Sequence, residues 1–201
     1  RLESDSGYTN QSPKISYKPQ HIDVDMDCSV QLWLDSEIGA KWRSGEFNVN
    51  VIKALGVDQL LAKRVKKLSG GERQAVSIAI CLGRDADLYL LDEPSAHLDA
   101  NARMEAAKAI RRTMESNERS AVVIDHDVYF IDILSDSLLV FNGEGGKFGY
   151  ANGPYPLRKG MNRFLKDVNI TFRRDHDSKR PRINKPESRK DRDCLLYTSD
   201  A

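Results

Sequence analysis

The run Leu88-Tyr89-Leu90-Leu91, followed at once by Asp92-Glu93-Pro94, restricts the fold more than any other stretch. Four apolar residues without alternation read as a strand covered on both faces, the environment of a central strand in a parallel sheet. Pro94 stops the strand. Two adjacent carboxylates therefore stand at its C-terminal end, the edge where open α/β sheets bind ligands. Upstream, Leu68-Ser69-Gly70-Gly71-Glu72-Arg73-Gln74 opens a helix on a glycine pair. Ser69 and Glu72 have capping-box spacing. The missing side chains at Gly70 and Gly71 leave the helix amides and dipole open to an anion. Together the two stretches read as parts of a nucleotide site: amides for phosphate, Asp92 for Mg²⁺ through a water, Glu93 for an attacking water. Taken singly, each has a plainer reading, a strand ending in two solvated acids and an ordinary capped helix.

The flanking pattern gives the fold class. Ile15 and Tyr17 alternate with polar residues, a short strand that Pro19 ends just before Gln20. Helical spacing recurs over 29–38 and 49–55, with Gly56 as a stop and Asp58 as the cap of a further turn. Lys63, Arg64, Lys66 and Lys67 bring four positive charges up to the glycine pair. The helix that begins there is apolar almost all round and should end at Gly83 as a left-handed cap. Asp99 caps a helix over 100–116. Residues 121–124 read as a second buried strand, ending at Asp125-His126-Asp127. A short helix over 128–134 follows, then a hairpin of strands 137–141 and 147–150, and a last helix over 156–168. Alternating strands and helices predict an α/β domain with a mainly parallel sheet. His126, at a strand end parallel to that of Asp92, can hold a phosphate or a water, though a lone histidine there is more often structural.

Composition removes several alternatives. The 201 residues are 40% hydrophobic and 30% charged, enough for a core, and the net charge of +1 favours neither nucleic acid nor its exclusion. Cys28, Cys81 and Cys194 are sparse and form no CxxC pair, which fits a reducing compartment. No apolar run has the length of a membrane span. The chain opens on Arg1 without an initiator methionine and reads as a fragment. Residues 171–193 carry nine basic and five acidic side chains, with Pro181 and Pro186 breaking regular structure, and read as an extended tail. Cys194-Leu195-Leu196-Tyr197-Thr198-Ser199-Asp200-Ala201 changes character abruptly and reads as an artefactual ending.

In the order Gln20, Ser69-Gly70-Gly71-Glu72, Asp92-Glu93, Ser95-Ala96-His97-Leu98-Asp99, His126, these features are jointly specific. Over residues 14–150 the chain resembles the ABC-type ATPases. Leu68-Ser69-Gly70-Gly71-Glu72 is similar to the family signature, residues 88–93 to its Walker B strand and residues 95–99 to its D-loop. Gln20 is similar to the Q-loop glutamine and His126 to the switch histidine. Gly160-Met161-Asn162-Arg163-Phe164-Leu165 and the blocks 170–175 and 180–185 extend the resemblance to about residue 190. They direct it to the RNase L inhibitor family, ABC subfamily E, and to its second nucleotide-binding domain.

The resemblance implies a P-loop NTPase-type α/β domain that lacks its Walker A segment. Residues 1–20 would end the N-terminal strand region and Q-loop, 21–67 form an inserted helical subdomain, 68–168 the ATPase core, and 169–193 a basic hinge. It implies a soluble, cytoplasmic ribosome-recycling factor with ATP and Mg²⁺ as cofactors, and iron–sulfur clusters in a region preceding this chain. Glu93 and His126 would be catalytic, Asp92 and Gln20 would hold the metal, and Gln20, Ser69, Gly70, Gly71, Glu72 and Asp99 would contact nucleotide. The partners implied are a companion ABC domain of the same chain, the small ribosomal subunit with its rRNA, and translation factors, without a membrane. The signature would serve the ATP held by the companion domain, and the 201 residues alone would be inactive. Family members usually carry tyrosine at His97 and glutamate at Asp125, and no GxxxxGKS or GxxxxGKT loop is present. Two other readings are a transporter's ATP-binding subunit, which shares the core motifs but not the basic tail, and a non-catalytic interaction module whose tail binds rRNA or straps a domain interface.

Overall fold

Three parallel strands frame the site. The computed structural model describes residues 12–22, 26–166, 172–174, 181–189 and 191–192, in two compact units, Arg1–Phe130 and Ile131–Ala201. In the first, β1 (Ile15–Lys18), β2 (Leu88–Asp92) and β3 (Ser120–Ile124) pair in parallel in that order, with Tyr17 beside Leu90 and Leu90 beside Val122. The apolar run is the central strand, but only its Tyr89 and Leu91 side is buried, not both faces as its lack of alternation predicts. Parallel pairing sends all three C-terminal ends to one edge, so Gln20, Asp92 and His126 follow neighbouring strands there.

Residues 30–38 form α1 (Val30–Ile38), capped by Ser29, and a short α2 (Gly45–Phe47) runs into a π-turn, Asn48–Lys53. A left-handed Gly56 ends this stretch and caps the 3₁₀ turn Val57–Leu60, which contains Asp58 rather than being capped by it. The long apolar helix is α3 (Gly70–Gly83), and Ser69 and Glu72 complete its capping box. It is buried from Gln74 onward. Gly83 is its last residue and not a left-handed cap: a Cβ there would lie 2.6 Å from Ile38 Cδ1, so this glycine lets α3 approach α1. Helix α4 (Ala100–Asn117) is capped by Asp99, which accepts from Asn101 N and Ala102 N, both at 2.9 Å. Helix α5 (Val128–Leu134) follows β3.

The sheet is covered unequally. Ser16, Lys18, Tyr89 and Leu91 are buried on the face that meets α3, where Ser16 Oγ donates to the Cys81 carbonyl at 2.8 Å. The other face carries Ile15, Tyr17, Val122 and Ile124, all exposed. In β1 the polar residues point inward and the apolar pair outward. The expectation of a buried strand over 121–124 is corrected: β3 is not buried, with Ile124 60% exposed.

In the second unit, β4 (Ser137–Glu144) and β5 (Phe148–Pro156) form the expected hairpin, longer than its hydrophobic pattern indicated. Helix α6 (Leu157–Lys166) begins one residue later than expected and buries Met161 and Leu165. Strands β6 (Phe172–Arg174) and β7 (Pro181–Ile183) pair antiparallel, so part of the expected extended tail is a small sheet that Pro181 opens. The helix end at Val168 and the segment 194–201 lie outside the described residues. Among the described residues no helix is long and apolar enough to cross a membrane.

Candidate functional site

Strand β2 ends in a sharp backbone turn. The Glu93 amide still donates to the Ile124 carbonyl at 2.8 Å, continuing the ladder, but Glu93 has φ 45°. A left-handed glutamate costs about 1–3 kcal/mol, so surrounding contacts must hold it. Three donors converge on its carbonyl: Gln74 Nε2 at 2.7 Å, Ala96 N at 3.2 Å and Lys18 Nζ at 3.4 Å. Lys18 Nζ also donates to the Asp92 carbonyl at 2.7 Å. The turn leaves the Glu93 carboxylate half-buried, with Oε1 3.8 Å from His126 Nδ1. The Asp92 carboxylate receives no hydrogen bond among the described residues.

His126 is held by its neighbours, not by its own ring. Asp125 accepts from Ser95 Oγ at 2.8 Å, Ser95 N at 3.0 Å and Asp127 N at 2.9 Å. Asp127 accepts from Arg103 Nη1 at 2.6 Å and from the Tyr129 and Phe130 amides. The backbone between them is thereby fixed, while the His126 side chain is 76% exposed. Asp125 also joins this segment to the buried Ser95, at the start of the connector between β2 and α4.

These groups suit a hydrated cation. Asp92 and the exposed Gln20 offer hard oxygen donors past adjoining strand ends, and no cluster of three or more metal-ligating side chains exists among the described residues. Two such donors fit Mg²⁺, which keeps several waters and takes phosphate oxygens, better than an ion needing an all-protein cage.

The glycine pair has a neighbour that sequence reasoning did not supply. A Cβ on Gly71 would lie 2.8 Å from the His97 carbonyl oxygen, and one on Gly70 would lie 3.3 Å from the His97 ring. His97 itself has φ 62°. The pair thus admits the chain's own connector. Glu72 is likewise engaged internally: it accepts from Ser69 N at 2.8 Å and from Lys63 Nζ at 2.6 Å. One of the four cations preceding the pair is therefore bound to Glu72, and Arg64 pairs with Asp27. The Lys63 bond, then the Ser69 amide, hold the Glu72 carboxyl below its ordinary 4.5. A depressed folded-state value gives stability that is present above the unfolded value and lost as pH falls through the folded one. Acidification from about pH 6 to about pH 3 is therefore expected to destabilise the parent more steeply than Glu72→Gln, read as urea midpoints.

The expected residues Gln20, Asp92, Glu93 and His126 share the sheet's C-terminal edge, and Ser69, Gly70, Gly71 and Glu72 form the α3 start against His97. Asp99 serves as a helix cap. Sequence reasoning missed Lys18, Gln74 and Asp127 as parts of the site, and gave Ser95 only within the D-loop-like segment and Asp125 only as a departure from the family's glutamate. A lysine in the polar phase of a short strand reads as solvated, and a glutamine in an apolar helix reads as a surface residue.

The chain is similar to known proteins over most of its length. The family model described as ABC transporter matches residues 4–96. An uncharacterized ABC transporter ATP-binding protein of Methanocaldococcus jannaschii is 47% identical over 178 residues, 89% of this chain and 29% of that protein. Translation initiation factor RLI1 of Saccharomyces cerevisiae is 40% identical over 192 residues, 96% of this chain and 32% of that protein. The chain thus spans about a third of the length of these curated relatives. A solved structure of archaeal ribosome recycling factor aABCE1, in complex with the ribosomal stalk protein aP1, superimposes with a TM-score of 0.88 at 47% identity, covering 96% of this chain and 37% of that one. The strand-end carboxylates, the capped glycine pair and identity sustained over nearly the whole sequence place the chain in the ABC ATPase family, among the relatives of RNase L inhibitor.

Proposed function

We propose that this chain is the larger part of an ABC domain that binds and hydrolyses Mg²⁺-ATP within a longer, cytoplasmic ribosome-recycling factor. The observation that carries the reading is the half-buried Glu93 carboxylate, turned out of the central strand beside His126. Glu93 orients the attacking water and takes its proton, and His126 holds the water or the terminal phosphate. Asp92 and Gln20 hold Mg²⁺, which neutralises phosphate charge when bound. The α3 start and Asp99 serve the nucleotide of a companion ABC domain in the same chain. The exposed face of Ile15, Tyr17, Val122 and Ile124 is the surface we assign to the phosphate-loop strand and helix, because parallel sheets bury both faces. Iron–sulfur clusters belong to a region outside this chain. Its partners are the small ribosomal subunit and translation factors.

The test is ATP turnover and co-sedimentation with a chain of the relatives' full length. The expected result is Mg²⁺-dependent hydrolysis and pelleting with small ribosomal subunits, and no turnover by residues 1–201 alone. Family-like turnover by the 201 residues, or pelleting with membranes in place of ribosomal subunits, overturns the reading.

A further inference from the structure

Lys18 is 1% exposed, among the largest fully buried side chains, and it lies at the end of β1 beneath the carboxylate pair. From this buried position its ammonium donates to the chain's own backbone. A buried ammonium is costly unless its hydrogens find acceptors. Its acceptors are not carboxylates but the main-chain carbonyls of Asp92, at 2.7 Å, and Glu93, at 3.4 Å. Gln74, 2% exposed, reaches the Glu93 carbonyl from α3 at 2.7 Å. Lys18 thus holds the peptides on both sides of the Glu93 Cα, the residue with the left-handed φ, and Gln74 holds the one that follows it. With the Asp92 and Glu93 carbonyls held by Lys18 and Gln74, the Glu93 side chain stands beside His126.

We propose that Lys18 and Gln74 are positioning residues that lock the Asp92-Glu93 backbone and thereby aim the Glu93 carboxylate. Neither touches substrate. Because the aim of one carboxylate is at stake, their loss lowers kcat with little change in KM. This inference rests on the ATPase reading. Ser16 provides the comparison: its hydroxyl is buried in the same strand and bonds α3 at the Cys81 carbonyl, but it touches neither Asp92 nor Glu93.

The experiment uses a chain of the relatives' full length and compares the parent with Lys18→Met, Gln74→Leu, the double variant and Ser16→Ala. The expected result is a kcat about 10–100-fold lower for each positioning variant with KM for ATP within about threefold, since small misplacements at a reacting centre cost on this scale. The double variant is expected to lose little more than either single one, because both hold the same backbone turn. Ser16→Ala is expected to keep kcat within about twofold of the parent while lowering the urea midpoint, as for the loss of a buried hydrogen bond. Amide hydrogen exchange over residues 93–98, which needs no turnover, is expected to quicken about tenfold in Lys18→Met and to stay unchanged in Ser16→Ala. Should Lys18→Met fail to fold, Gln74→Leu carries the same comparison. Folded positioning variants with parental kcat and exchange overturn the inference alone, as does a kcat loss in Ser16→Ala equal to theirs. A parent without ATP turnover overturns the ATPase reading and this inference with it.

Discussion

Glu93→Gln is expected to lower kcat for ATP hydrolysis by about 10²–10⁴-fold in a chain of the relatives' full length, with ATP affinity retained, the scale of losing a positioned general base. The substitution keeps the size of the side chain and every main-chain bond that fixes the turn: Glu93 N to Ile124 O, and the three donors on its own carbonyl. What changes is the basicity of the group 3.8 Å from His126. Single-turnover kinetics with retained nucleotide binding separates this from a folding defect. Asp92→Asn is expected to behave differently, raising the Mg²⁺ concentration needed for half-maximal rate, because its carboxylate is open to a cation and is not part of the turn. If Glu93→Gln kept parental kcat, the assignment of the base would be wrong even with nucleotide binding intact.

The frame of the site was legible because it depends on period and on special residues. The unbroken run before Asp92 marks the central strand, and Ser69 with Glu72 marks the start of α3 to the residue. Asp99 as a cap and the short helix 128–134 follow from the same local rules. What failed depends on tertiary surroundings. The alternation in β1 shows a period of two but not which phase is buried, and Ser16 and Lys18 face inward because Cys81 and the carbonyls after β2 supply polar partners. Gly83 has the position of a left-handed cap, yet it serves the approach of Ile38, a contact set by how α1 crosses α3. The basic run before the glycine pair reads as free charge, whereas Lys63 is bound by Glu72. Apart from Lys63 and Glu72, nine residues apart, each miss concerns a contact between residues far apart in sequence, as Lys18 and Glu93 are.

Gly71→Ala is expected to lower ATP turnover about 100-fold and to cost about 1–3 kcal/mol of stability, whereas Gly70→Ala has a smaller effect on both. The difference lies in what each new methyl meets. At Gly71 it meets the His97 carbonyl oxygen at 2.8 Å, a main-chain atom that no rotamer change moves. The 95–99 connector must shift, and it is tied through Ser95 to Asp125 and through Asp99 to α4, so the displacement reaches both flanks of His126 and the α4 start. At Gly70 the new methyl meets the imidazole at 3.3 Å, and an exposed ring can rotate away. Adding His97→Ala should therefore relieve Gly70→Ala and leave Gly71→Ala unrelieved, since the carbonyl remains. Gly145→Ala, where nothing lies within 4 Å, gives the silent reference. Thermal unfolding and turnover measured on this series distinguish two roles for the pair. If the glycines served only the approach of a phosphate, Gly70 and Gly71 would lose activity alike and stability would not change. A stability loss confined to Gly71 assigns that glycine to the connector, and any activity loss at Gly70 that His97→Ala fails to relieve assigns Gly70 to the ligand.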